Sequence, residues 1–172
     1  MTEHSALNKK TASAARAYFA GGCFWGVEYY FEHKDGVVSA VSGYMGGTKD
    51  NPTYEDVCSG KYGFYEVVEV TYNPEKVGYE ELAKLFFEIH DPTQADGQGP
   101  DIGEQYKSVI FYNNEKEKKI AGKLIGILKE KGYNVVTKLF PVTKFYRAED
   151  HHQDYYDKKG TKPACHFYKK RF

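Results

Sequence analysis

Apolar positions along the chain recur at two periods. Val68, Val70 and Tyr72 fall on one face of an extended segment and Val67, Glu69 and Thr71 on the other, so Glu66 to Tyr72 is predicted as a strand. Glu66 shares the more apolar face. Leu82, Leu85, Phe86 and Ile89 follow at helical spacing, which predicts an amphipathic helix over Tyr79 to His90, stopped by Asp91-Pro92. Ile120, Leu124 and Leu128 predict a second helix over Asn114 to Lys131. Tyr18 to Ala20 reads as a strand end that runs into Gly21-Gly22, after which Val27, Tyr30 and Phe31 give Cys23 to His33 a helical pattern. Val37 to Val41, Ser108 to Tyr112 and Val135 to Leu139 are the remaining expected strands. Ser42 to Tyr62 and Thr93 to Glu104 are expected as long Gly-rich loops, and loops of that length are usually functional.

Strands interleaved with helices predict an α/β (α+β) fold: a single two-layer domain with a mixed central sheet flanked by helices. The 172 residues suit one core, and at this size folding removes roughly 70% of the unfolded chain's surface without help from disulfides or metal. Residues 1–16 are expected as a polar arm, residues 17–172 as the domain, and 157–172 within it as a basic tail.

Charge and composition narrow the partners. Twenty-four Lys+Arg balance 24 Asp+Glu, so the chain lacks the basic excess that nucleic acid binding requires. No run approaches the ~20 apolar residues of a membrane span, and the mean hydropathy is −0.67. The first residues lack the apolar stretch of a secretory signal. The three cysteines, Cys23, Cys58 and Cys165, form no CxxC pair and no dense framework, which fits a reducing cytoplasm. Sixteen Tyr and 11 Phe supply apolar area with polar tips, suited to a pocket as well as to a core.

The sharpest local signal is Gly21-Gly22-Cys23-Phe24-Trp25-Gly26, which sets a thiol at the start of a helix directly after a strand. Unpaired N–H groups and the helix dipole favour thiolate there, so Cys23 is expected as a nucleophile of lowered pKa. Taken alone, a cysteine at such a crowded joint is more often a small buried residue; the flanking glycines and aromatics favour reactivity. Burial of Glu66 on its strand face would raise its pKa and make it an acid near neutral pH, although a solvent-reaching glutamate fits the pattern equally well.

These residues carry a resemblance. Gly22-Cys23-Phe24-Trp25-Gly26 with Glu28 is similar to the signature of the A-type peptide methionine sulfoxide reductases. The likeness continues in the family's order through Gly43-Tyr44-Met45-Gly46-Gly47, Asn51-Pro52-Thr53-Tyr54, Val57-Cys58-Ser59-Gly60, Glu66-Val67-Val68, His90-Asp91-Pro92-Thr93, Gln98-Gly99, Asp101, Gln105-Tyr106-Lys107-Ser108, Ala148-Glu149-Asp150 and His152-Gln153. The resemblance implies a ferredoxin-like core and thiol-dependent reduction of methionine S-sulfoxide, free or in proteins. It implies Cys23 as the nucleophile that becomes a sulfenic acid, Glu66 as the acid, and Cys165 as the resolving thiol. Tyr54 and Tyr106 would be donors to the sulfoxide oxygen, Asp101 an organiser of the polar pocket, and Phe24 and Trp25 the apolar wall for the substrate methyl. No bound cofactor or metal is implied; thioredoxin, or dithiothreitol in vitro, is the reductant, and a cytoplasmic monomer is expected.

The chain departs from the family pattern at Gly63-Phe64-Tyr65, where Gly-His-Ala is frequent; at Lys107, where arginine is usual; in Gly97-Gln98-Gly99, which lacks an arginine; and at Pro163-Ala164-Cys165, where Gly-Tyr-Cys is commoner. Cys58 is expected as a packing residue. Asp150-His151-His152-Gln153-Asp154 does not have zinc spacing. Two other functions compete. One is a Cys-His hydrolase or acyl transferase pairing Cys23 with His33, His90, His151, His152 or His166; the other is a non-catalytic module binding methionine-rich partners.

Overall fold

The structure is a computed structural model and describes residues 14–172. Six strands form one mixed sheet: β1 (Ala15–Ala20), β2 (Val37–Met45), β3 (Tyr65–Tyr72), β6 (Val109–Tyr112), β7 (Lys138–Pro141) and β8 (Tyr146–Arg147). A separate two-strand hairpin is formed by β4 (Gly97–Gln98) and β5 (Asp101–Ile102). The helices are α1 (Phe24–Glu32), α2 (Tyr54–Cys58), α3 (Tyr79–Ile89), α4 (Glu115–Glu130) and α5 (Tyr155–Lys159), with 3₁₀ turns at Glu104–Tyr106 and Asp150–His152.

The sheet order is β7-β6-β1-β3-β2-β8, antiparallel except for the parallel β6/β7 pair. Its centre, β1-α1-β2-β3-α3-β6 in chain order with β6-β1-β3-β2 in space, is the split βαβ arrangement of the ferredoxin-like fold. The two-layer mixed fold expected from the sequence is therefore the one observed. One sheet face packs Phe19, Val68, Val70 and Ile110 against Val27, Phe31, Leu82, Phe86 and Leu124 of the helices. The other carries Tyr18, Met45, Val67 and Phe111, covered by Phe140, Val142 and Phe145.

Several boundaries differ from expectation. Of the expected arm, residues 1–13 lie outside the described residues, and Ala15 and Arg16 are already in β1, paired with Tyr72 and Thr71. β2 continues to Met45 because its ladder on β3 runs on to the Met45/Tyr65 pair. The 42–62 loop contains α2, closed by a capping box in which Thr53 Oγ1 accepts from the Asp56 N–H and Asp56 Oδ2 accepts from the Thr53 N–H. The last predicted strand sits at Lys138–Pro141, since the parallel register on β6 pairs Val109 with Lys138. No helix of the described residues is long and apolar enough to cross a membrane.

Candidate active site

Cys23 is the N-cap of α1, directly after the β1 strand and the Gly21-Gly22 turn. Gly22 has φ +96°, and a Cβ there would lie 2.5 Å from Gln98 Cβ, so the turn needs glycine both for its conformation and for its contact with β4. Gln98 in turn bonds the Asp91 backbone through its Oε1 (2.8 Å from N) and Nε2 (2.9 Å to O), which ties the hairpin to the end of α3.

Glu66 is 2% exposed on β3. Its Oε1 accepts from the Phe24 N–H at 3.2 Å, while its Oε2 is buried with no partner. Burial lifts the carboxyl to about 8, against the pull of the Phe24 N–H and with a small push from Asp101. Near neutral pH Glu66 is thus a buried acid that keeps its proton.

Cys23 departs from expectation. Burial pushes its thiol well above the usual range, the Glu66 charge adds to that, and the Trp25 N–H at the helix start opposes both. The helix terminus acts in the expected direction but is outweighed by burial. While Glu66 remains protonated its share of the upward push disappears, which couples the two groups.

The other candidates group around this pair. Tyr54 opens α2, its backbone N–H donating to Glu149 Oε2 at 3.1 Å. The Tyr54 hydroxyl interacts with that of Tyr106 and with the Cys58 thiol. Burial raises both tyrosines, Tyr106 to about 12, with Glu66 adding to each, so both hydroxyls are neutral O–H groups facing the acid. Asp101, on β5, acts electrostatically on Cys23, Glu66 and Cys165 together. Cys165 comes from the far end of the chain to within electrostatic reach of Cys23. All three thiols are unpaired.

Phe24 is buried, its ring held against Tyr44 and His152 at 5.7 and 5.2 Å between centroids. Trp25 is partly exposed, stacks on Tyr155 at 3.7 Å and donates from Nε1 to His152 Nδ1 at 3.1 Å. That bond leaves the His152 proton on Nε2, which is buried without a partner, and burial holds the ring below its usual pKa and neutral.

Sequence reasoning assigned no role to Glu149, which accepts from the Tyr44 hydroxyl at 2.9 Å as well as from Tyr54 and so fixes α2 against β2. Only the tertiary fold reveals that link, across 95 positions of chain. Cys58, expected as packing, is exposed at the end of α2 beside the Tyr54 hydroxyl, while its neighbour Val57 takes the buried position. At the Gly-His-Ala position, Phe64 lies over Gly47 and against Tyr146, and Tyr65 over Gly46 and against Phe111 and Phe140.

Among the described residues, Glu28, Glu32 and Asp154 bring carboxylate oxygens within 4.8 Å of one another. Glu28 accepts from Ser42 Oγ at 2.5 Å and from the Asp154 N–H at 3.0 Å, and burial, with the Asp154 charge adding, raises the carboxyls of Glu28 and Glu32. The histidines weighed for a hydrolase have their partners elsewhere: His33 on Tyr29 O and Asp157, His90 on Phe86 O and Ser108, His152 on Trp25, and His166 on Gly21 O, while the His151 ring lies against that of His152.

The family profile described as Peptide methionine sulfoxide reductase matches residues 15–172. The chain belongs to this family. It is an oxidoreductase that acts on peptide methionine sulfoxide. The peptide methionine sulfoxide reductase MsrA of Methanothermobacter thermautotrophicus is 51% identical over 146 residues, covering 83% of this chain and 86% of that protein. The reduced form of Mxr1 from Saccharomyces cerevisiae superposes with a TM-score of 0.84 at 37% identity, over 92% of this chain and 93% of that one. Mxr1 in complex with Trx2 superposes with a TM-score of 0.61 at 26% identity, over 92% and 91% of the two chains.

Proposed function

We propose that this reductase converts the S epimer of methionine sulfoxide, free or within proteins, to methionine through a sulfenic acid on Cys23, that Cys165 resolves this acid, and that thioredoxin reduces the resulting disulfide. The observation that carries the chemistry is the buried, unpartnered Oε2 of a protonated Glu66 beside Cys23.

Reduction needs one proton delivered to the sulfoxide oxygen and one removed from the thiol. Glu66 gives its Oε2 proton to the oxygen as that oxygen becomes basic, and as a carboxylate it takes the Cys23 proton while the sulfur attacks. Oxygen passes to sulfur: Cys23–SH and the sulfoxide become Cys23–SOH and methionine, and Glu66 ends unchanged. The hydroxyls of Tyr54 and Tyr106, held neutral, donate to the oxygen as charge builds on it. Trp25, stacked on Tyr155, offers the partly exposed aromatic surface that suits a thioether methyl. Asp101 organises the polar side, its charge acting on Cys23 and Cys165 alike.

The second step joins Cys23–SOH and Cys165–SH as a disulfide and releases water. A dithiol protein then exchanges with that disulfide. Thioredoxin is the reductant on the strength of the resemblance and of the Trx2 complex of Mxr1. The epimer preference, the monomeric state and the cytoplasmic setting rest on the family likeness and on the composition.

The test is single turnover of the reduced enzyme on separated sulfoxide epimers, with product disulfides mapped by mass spectrometry. One methionine per enzyme from the S epimer, with a Cys23–Cys165 disulfide, supports the reading. Equal reaction of both epimers, or a persistent Cys23 sulfenic acid with full thioredoxin-linked turnover by Cys165→Ser, overturns its corresponding part.

A further inference from the structure

The chain after Gly160 contains no helix or strand, yet it is held at named points on both sides of Cys165. The Ala164 N–H donates to the Tyr156 hydroxyl at 3.4 Å. Beyond Cys165, the Lys169 N–H donates to Glu88 O at 2.7 Å, and Arg171 bonds Glu88 Oε2, Phe87 O and His90 O. Between these points lies His166, 2% exposed in a segment whose next four residues are exposed.

The imidazole sits in a socket made by the glycines around Cys23. Its Nε2 is 2.7 Å from Gly21 O, and since a carbonyl can only accept, Nε2 carries the proton. The ring lies flush on Gly26: a Cβ at that position would be 2.1 Å from Nδ1 and 2.7 Å from Cγ, so no larger residue shares the space. The His166 carbonyl accepts from the Tyr30 hydroxyl at 3.3 Å, about one turn of α1 beyond Gly26. Ring and backbone are therefore both fixed to the segment that presents Cys23.

We propose that His166 is a positioning residue for the resolving step, a latch whose docking against Gly21 and Gly26 holds the adjacent Cys165 over Cys23. The proposal rests on Cys165 being the resolving thiol. Resolution is an intramolecular encounter of Cys165–SH with Cys23–SOH, forming the S–S bond and releasing water, and its rate follows how well the tail is oriented. The first step, at Cys23 and Glu66, does not require the tail to be docked.

The experiment mixes reduced enzyme with one equivalent of methionine S-sulfoxide and quenches at intervals. Methionine, the Cys23–Cys165 disulfide and the dimedone adduct of Cys23 sulfenic acid are measured for the parent, His166→Ala and Tyr30→Phe. The expected result is an unchanged rate of first-turnover methionine formation in both variants. Disulfide formation should slow by about tenfold or more in His166→Ala and by less in Tyr30→Phe, with matching gains in adduct. Thioredoxin-driven turnover should fall while dithiothreitol-driven turnover is kept, and His166→Asn, whose amide can donate to Gly21 O, should recover part of the loss. Unchanged disulfide formation in both variants overturns the latch. An equal loss of the methionine burst also overturns it, since His166 would then support the Cys23 turn itself. If the parent forms no Cys23–Cys165 disulfide, the resolving role of Cys165 fails first and takes the latch with it.

Discussion

The N–H of Phe24, one residue past the nucleophile, donates to Oε1 of Glu66 at 3.2 Å. This bond fixes the distance between two strands' worth of chemistry, since Cys23 follows β1 and Glu66 lies on β3, which pairs directly with β1. It also occupies one carboxyl oxygen and leaves the other, buried and unpartnered, to carry the proton. Burial then works on Cys23 and Glu66 alike, in the direction that keeps each protonated.

Glu66→Gln keeps the shape and can still accept from Phe24 N–H, but it delivers no proton. The chemical step should slow by ~10²-fold or more. In the parent the single-turnover rate should fall as pH rises through about 8, where Glu66 ionises, and this limb should be missing in the variant. The linkage has a definite sign: a carboxyl raised from 4.5 to about 8 binds its proton in the native state after the unfolded chain has released it, so it costs stability as pH rises between those values. Glu66→Gln should gain on the parent in denaturant unfolding from pH 5 to 8 and show no such gain near pH 4. A constant difference across that range would reject the shift.

Cys23→Ser should abolish turnover with dithiothreitol, whereas Cys58→Ser should retain most of it, because the Cys58 thiol lies on the exposed rim beside Tyr54. Measurable reduction by Cys23→Ser would sink the mechanism. A large loss in Cys58→Ser would assign that thiol a part in holding the Tyr54 hydroxyl.

Much of this was legible in the sequence where period and local chemistry act alone. Glu66 could be placed on a buried face because period two is a property of the strand itself, and α3 and α4 emerged from their apolar stripes. α2 was missed although Thr53 and Asp56 spell its capping box, because five residues carry no apolar period. The raised thiol of Cys23 was missed for another reason. A helix start is visible locally, but the burial that overrides it comes from distant segments. The same holds for the Glu149 link to Tyr54 and for the seat of His166 on Gly26, contacts that only the completed fold creates.

Tyr106→Phe removes one of the two hydroxyl donors while keeping the ring. Loss of one hydrogen bond to the developing oxygen charge, about 1.4 kcal/mol, should lower kcat/KM about tenfold. The loss should appear in single-turnover rates more than in KM. Tyr54→Phe should behave alike, and an unchanged rate in both would remove the tyrosines from the reaction.

Thr53→Ala deletes the side-chain acceptor that caps α2 and should destabilise the protein by about 1 kcal/mol. The Asp56 N–H then loses its acceptor, while Asp56 Oδ2 still accepts from the residue 53 N–H and from Lys49. Because Tyr54 follows the cap directly, the variant should also show weakened turnover at temperatures well below its unfolding transition. Normal kinetics with lowered stability would mean that Glu149 alone is enough to hold Tyr54.

Glu28, Glu32 and Asp154 meet where α1 passes the segment leading to α5, and Asp154 occupies a left-handed conformation at φ +52° there. Burial comes first among the causes that raise Glu28 and Glu32, and the neighbouring carboxyl of Asp154 adds to both. Raised carboxyls stabilise the native state most fully below the ordinary carboxylate range of about 4.3 and lose that contribution as pH climbs towards neutrality. Glu32→Gln removes one acid from the cluster without removing its hydrogen-bonding capacity, and Glu32 is the member with a buried, unpartnered oxygen. Its melting temperature should therefore match the parent's near pH 4 and exceed it at pH 8. Glu66 contributes equally to both proteins, so the difference between them isolates the cluster. If the two melting curves keep a constant separation from pH 4 to pH 8, the Glu32 carboxyl is not raised in the native state and the crowding at Asp154 is relieved in some other way.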